Sequence, residues 1–165
     1  MRMTNMPWLT VFVLWGGMTA AQEPPFDIGL TVACLAEADP YGNAVLDCVG
    51  RAADACMAAP EGGSTVGMGY RFEQEWQWWD WQLTDAYSEL IKKQKRIDDV
   101  LAGIDSNLPS LVASLKEMQR AWIPFRDATC DYEGALWGGG LATARCTMTE
   151  TARQELELRA ALWQK

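Results

Sequence analysis

The chain has 165 residues, a formal net charge of −8 and no histidine. Its length suits one domain of ordinary size, and its acidity disfavours nucleic acid and anionic membrane surfaces as partners, because both repel it. Without imidazole, histidine acid–base catalysis and most nucleophile–base pairs are excluded, as are most zinc sites other than all-cysteine ones.

Met1 to Pro7 carries one positive charge, Arg2, and the apolar run Trp8 to Trp15 follows it. Gly16-Gly17-Met18 and the small residues Thr19-Ala20-Ala21 then stand ahead of the polar Gln22. This order predicts a secretory signal peptide over residues 1–21, cleaved after Ala21, and a single mature domain over residues 22–165. The apolar run is well short of the roughly 20 residues that a membrane span needs. The first cysteine, Cys34, lies far past the cleavage point, so an acylated-cysteine anchor is not expected. A periplasmic or secreted location follows, with no stable membrane anchor. Removing Arg2 with the leader makes the mature chain one unit more negative.

Ile28 to Glu37 and Asn43 to Ala58 are rich in Ala, Leu and Val and read as two short helices, separated by a turn at Asp39-Pro40-Tyr41-Gly42-Asn43. The glycine-rich stretch from Pro60 to Gly69 reads as a loop. Phe72, Trp76, Trp79, Leu83, Ala86, Leu90, Ile97, Leu101 and Ile104 then recur at steps of four and three, with one seven-residue gap. That is an apolar stripe on a helix of some eight or nine turns. A break at Asp105-Ser106-Asn107 precedes a second stripe: Leu108, Leu111, Leu115, Met118, Trp122, Phe125, Thr129, Tyr132 and Leu136. Two long helices joined by a short turn form an antiparallel hairpin. Pro124 falls inside the second helix, removes one backbone hydrogen bond and is expected to kink it. Gly138-Gly139-Gly140 ends that segment, and a helix from about Thr147 to Trp163 carries Met148, Ala152, Leu156 and Leu162 toward the hairpin. The fold class is all-α: a long helical hairpin, a C-terminal helix and two short N-terminal helices.

Signals for catalysis are weak. No serine–lysine or carboxylate pair stands out from ordinary amphipathic faces. The triple glycine lacks the lysine and strand of a phosphate loop, and Asp98-Asp99 with Asp105 are not spaced like a calcium loop. The chain reads as a non-enzyme without cofactor or metal. Its five cysteines, Cys34, Cys48, Cys56, Cys130 and Cys146, all follow the leader, and secretion favours disulfides over metal ligation. The run Glu75 to Trp81 places four indoles on one helix; Trp76 and Trp79 belong to the core stripe, while Trp78 and Trp81 flank it as packing residues or as an aromatic contact patch. Arg120, Arg126, Asp127 and Arg153 lie on or beside the stripes and are expected to form interhelical ion pairs.

Gln119-Arg120-Ala121-Trp122-Ile123-Pro124-Phe125-Arg126-Asp127-Ala128-Thr129-Cys130 resembles the signature of the lysozyme inhibitor LprI-like N-terminal domain family. Asp80, Leu83 and Tyr87 resemble an element of the family on the preceding helix, Cys146 its closing cysteine, and Arg153 with Leu156 its last motif. The resemblance covers about residues 48–160. Thr84 stands where the family usually has asparagine, Pro124 replaces a helix-friendly residue, and no cysteine lies near Tyr70 to Phe72, which leaves Cys56 the orphan.

The resemblance implies a helical, disulfide-bonded module that inhibits lysozyme. Beside it, the residues favour bridges Cys130–Cys146, closing the loop over Gly138 to Gly140, and Cys34–Cys48, stapling the two short helices. Cys48 and Cys56, two turns apart in one helix, would be too distant to bridge. An acidic inhibitor suits a basic lysozyme as partner. The expected contacts are exposed loops, Ser64 to Arg71 with Tyr70 or Arg71 meeting the enzyme's carboxylates, or Trp137 to Leu141. The alternative is a non-catalytic envelope interaction protein that uses the tryptophan-rich helix face, including Trp78 and Trp81.

Overall fold

The computed structural model describes residues 26–39, 42–58, 64–105 and 107–164. The expected signal peptide, residues 1–21, lies outside the described residues, as do Pro40, Tyr41, Ser106 and residues 59–63. Among the described residues five α-helices follow in order: α1 Gly29–Glu37, α2 Arg51–Met57, α3 Thr65–Ala102, α4 Leu111–Trp137 and α5 Gly140–Trp163. A 3-10 helix, Asn43–Cys48, precedes α2. Among the described residues there is no strand.

The spine is α3, 38 residues and so about 57 Å long. It starts earlier than the glycines suggested. Ser64 caps it, its Oγ accepting the Gly67 N–H at 3.0 Å, so Thr65 to Arg71 is helix and not loop. Gly67 is buried and Gly69 faces Leu141, so these small residues admit close neighbours. The apolar stripe holds over most of its length: Phe72, Trp79, Leu83, Ala86 and Leu90 are buried, and Ile104 lies exposed beyond the helix end.

α4 returns along α3, and the first three amides of the helix are capped by side chains. Leu111 and Val112 donate to the Asp98 carboxylate, Ala113 to Ser110 Oγ and Ser114 to the Ser110 carbonyl. The hydrogen bonds that Asp98 accepts from Ser110 Oγ and from the Val112 and Leu111 amides hold its carboxyl below the usual carboxylate range. The helix runs on through Pro124. The expected stripe on α4 is only partly buried: Leu115 is in the core, whereas Phe125 is 64% and Tyr132 68% exposed, and Leu136 is exposed with them. The covered face instead runs through Leu111, Leu115, Trp122, Arg126 and Cys130. Leu115 shares an apolar cluster with Leu158 of α5, and further along α4 meets α5 through a polar pair and a disulfide.

The turn into α5 is only Gly138-Gly139, with Gly138 at φ 77° closing α4 by its N–H to the Gly134 carbonyl. At Gly134 a Cβ would lie 2.1 Å from Thr143 Oγ1, so the glycine admits the close approach of α5. α5 runs parallel to α3: Arg145 stacks over Phe72, Trp76 Nε1 donates to Thr151 Oγ1 at 3.2 Å, and Arg159 reaches Gln82. At the far end the Lys93 ammonium donates to the carbonyls of Ala161, Leu162 and Gln164. Two apolar clusters fill the bundle, one around Phe72, Trp79, Met148 and Ala152, the other around Leu83, Ala86, Leu90, Leu115 and Leu158.

Both bridges join the expected partners, Cys34–Cys48 and Cys130–Cys146, and Cys56 is free. Asn43 to Ala58 is not one helix, because Gly50 adopts φ 89° and breaks the chain between the 3-10 helix and α2. α1, the 3-10 helix and α2 sit on the first half of α3, where Ala53 enters the Trp79–Met148 cluster.

Candidate functional site

The steps of three and four between Asp80, Leu83 and Tyr87 place them on one side of α3, and the same steps align Gln119, Trp122 and Arg126 on α4. The structure brings all six together along a cleft of about 300 Å³, with Trp76, Thr84 and Ile123. Arg126 stacks over Trp122 at 5.0 Å and donates from Nε and Nη2 to Asp127 Oδ1 at 2.9 and 2.7 Å. Gln119 Oε1 accepts from Gln154 Nε2 of α5 at 3.0 Å. Trp122 packs on the Leu83–Leu115 cluster. These contacts fasten α4 to its neighbours, so most of the motif is framework.

The remaining motif residues are dispersed. Arg120 is exposed and donates from Nε to the Lys116 carbonyl, Arg153 pairs with Glu150 of its own helix, and Leu156 packs against the Trp79 cluster. The expected interhelical ion pairs are therefore replaced by local contacts: Arg126 pairs with Asp127 and Arg153 with Glu150 on their own helices, and Arg120 reaches a backbone carbonyl of its own helix. Pairs between elements are Arg145–Asp54 at 3.6 Å and Arg159–Asp85 at 3.9 Å, which sequence reading missed. Cys130 and Cys146 bridge α4 to α5.

At one end of the bundle the start of α3 and the α4–α5 turn lie side by side: a Cβ on Gly69 would lie 3.7 Å from Leu141 Cδ2. This end displays Val66, Tyr70, Leu136 and Trp137, the last 73% exposed. Beside Trp137 runs a groove of about 500 Å³ lined by Glu133, Arg145, Cys146, Glu150 and Arg153, among others. The Cys130–Cys146 bridge ties α4 to α5 beside it.

Of the expected contact residues, Tyr70 is half-exposed at this end and Ser64 is spent as the α3 cap. Arg71 is 1% exposed and cannot meet a partner, because α3 turns it inward against Cys56. Trp78 packs edge-to-face on Trp79 at 4.7 Å and lines an apolar cavity of about 410 Å³ with Leu35, Leu156 and Trp163. Trp81 projects into solvent. Sequence reading missed the buried polar groups Glu75, Gln154 and Glu155, which no local pattern distinguishes from surface residues. Burial pushes the Glu155 carboxyl above its usual range, opposed by the hydrogen bond from Arg159. Among the described residues no group of three or more His, Cys, Asp or Glu could hold a metal, and no helix is long and apolar enough to cross a membrane.

Comparison with known proteins gives a family model, described as Lysozyme inhibitor LprI, that matches residues 56–158. An uncharacterized protein of Rhizobium meliloti (strain 1021) is 28% identical over 91 residues, 53% of this chain and 66% of that protein. The chain thus spans slightly under two thirds of that relative's length. No solved structure matches.

Proposed function

The chain belongs to the lysozyme inhibitor LprI family, and from that premise we propose that it is a periplasmic or secreted binding protein that blocks a lysozyme-type muramidase. The observation that carries this reading is the family match, which takes in nearly all of the three bundle helices and the Cys130–Cys146 bridge. An inhibitor needs a preorganised surface, not a reacting group. Val66, Tyr70, Leu136 and Trp137 supply apolar and aromatic anchors of the kind that dominate interfaces. Arg145 is an exposed cation beside them, suited to the carboxylate pair in a muramidase cleft. The net charge of −8 steers the protein to a basic, animal-type enzyme, with association that slows as salt rises.

The test is lysis of a Gram-positive cell-wall suspension by a basic animal-type lysozyme, with the oxidised protein titrated in and a reduced, alkylated sample as control. Dose-dependent inhibition that weakens with salt and disappears on reduction is expected. No inhibition by folded protein at large molar excess overturns the animal-type target.

A further inference from the structure

Arg71 lies in the second turn of α3 with its side chain buried, and its Nε–H donates to Cys56 Sγ at 2.7 Å. Its Nη1 and Nη2 are also buried and, among the described residues, have no hydrogen-bond partner. Nor does Arg71 form an ion pair among them. A buried cation with unfilled donors and no carboxylate is unfavourable, and it calls for an anion with oxygen acceptors. A guanidinium is planar, with Nε–H and one Nη–H parallel along one edge. The edge turned to the sulfur therefore offers a second donor beside it. Cys56 is partly exposed and free, while the other four cysteines are held in two bridges.

We infer that Cys56 is an oxidation site for hydrogen peroxide, and that its sulfinate product is held by the Arg71 fork. In the first step the sulfur attacks one peroxide oxygen. An S–O bond forms as the O–O bond breaks, and the thiol and peroxide become a sulfenic acid and water. A sulfenic acid ordinarily condenses with a nearby thiol. Here every other cysteine is already bridged. A second peroxide therefore oxidises the sulfur again, giving sulfinic acid and a second water, and the acid loses its proton to solvent. The two oxygens and the negative charge arise beside the Arg71 edge that already faces the sulfur, where Nε–H and the one unfilled Nη of that edge can each donate to an oxygen. This inference does not rest on lysozyme binding.

The experiment treats the disulfide-intact protein with graded hydrogen peroxide, maps the product by mass spectrometry and follows its Tm, with peroxide-treated Cys56→Ala as control. The expected result is a gain of two oxygens, assigned by fragment ions to Cys56 and not to the adjacent Met57, and a Tm that rises relative to the treated control. In a second arm Cys56→Asp, which places a carboxylate before Arg71, melts several degrees above Cys56→Ala without any peroxide. A disulfide-linked dimer, no oxygen on Cys56, or a Tm that falls as the sulfinate accumulates overturns the inference. So does a Cys56→Asp protein no more stable than Cys56→Ala.

Discussion

Glu75 and Thr31, 44 residues apart in the chain, meet at 2.9 Å in the interior, the Thr31 hydroxyl donating to Glu75 Oε1. The same carboxyl group accepts the backbone N–H of Gly50 at 2.8 Å and of Ala53 at 2.9 Å, and the Trp79 indole N–H at 3.3 Å. Thr31 in turn accepts the Ala52 N–H at 3.1 Å. One side chain thus ties α1 and the start of α2 to the spine. Glu75→Ala strands several buried donors and is expected to cost about 3–5 kcal/mol, whereas Thr31→Val costs about 1–2 kcal/mol. Urea unfolding followed by tryptophan fluorescence measures both; a loss under about 1 kcal/mol for Glu75→Ala would show that the network is dispensable.

Asp98 and Glu155 make stability depend on pH with opposite signs. Asp98 is shifted down by the hydrogen bonds from Ser110, Val112 and Leu111, so its contribution is present above the ordinary aspartate pKa and is lost as pH falls below about 4. Glu155 is shifted up by burial, so the folded protein binds its proton more tightly than the unfolded chain does. Stability from this group therefore increases as pH falls from the raised value toward the ordinary glutamate range. Tm measured against pH should show a shallower acid-side decline in Asp98→Asn, and a weaker opposing slope just above the ordinary range in Glu155→Gln. An unchanged acid limb in Asp98→Asn would refute the capping role.

The Cys130–Cys146 bridge spans a sequence separation of 16, for which loop-closure entropy gives about 3 kcal/mol. Replacing both cysteines by serine should lower stability by about 2–4 kcal/mol and leave helix content unchanged at low temperature. Circular dichroism during thermal and urea unfolding tests this. Hydrogen exchange should accelerate first in residues 134–146.

Trp137→Ala and Tyr70→Ala should each weaken lysozyme inhibition about tenfold or more, equivalent to about 1.4 kcal/mol of binding, with little change in Tm. Trp81→Ala, on a side chain also exposed but away from the α4–α5 turn, should leave inhibition unchanged. If Trp81→Ala alone abolished inhibition, the tryptophan-rich face of α3 would be the contact surface instead.

How far the fold could be read depended on how apolar each covered face is. The α3 stripe was legible because Phe72, Trp79, Leu83, Ala86 and Leu90 are all apolar and all buried. On α4 the apolar residues and the buried residues part company. Phe125 and Tyr132 face solvent while Arg126 and Gln119 turn inward, because α5 answers that face with Gln154 and Cys146. The bridges were legible from short helices and a glycine turn. The attachment of the N-terminal helices was not: Glu75 sits in a row of indoles, and its donors come from residues 22, 25 and 44 positions away. The candidate contact end was half legible, since Trp137 and Tyr70 stand where loops were expected, whereas the helical start of α3 carries Arg71 inward.

The Lys93 ammonium, gathering the carbonyls of Ala161, Leu162 and Gln164, fixes where the backbone leaves the bundle. Because α5 runs parallel to α3, that exit lies at the opposite pole from Trp137 and Tyr70. A tether fused beyond Trp163 would therefore hold the molecule upright on a sensor surface, with its aromatic pole facing the solution. A tether at the other pole would bury the face under test.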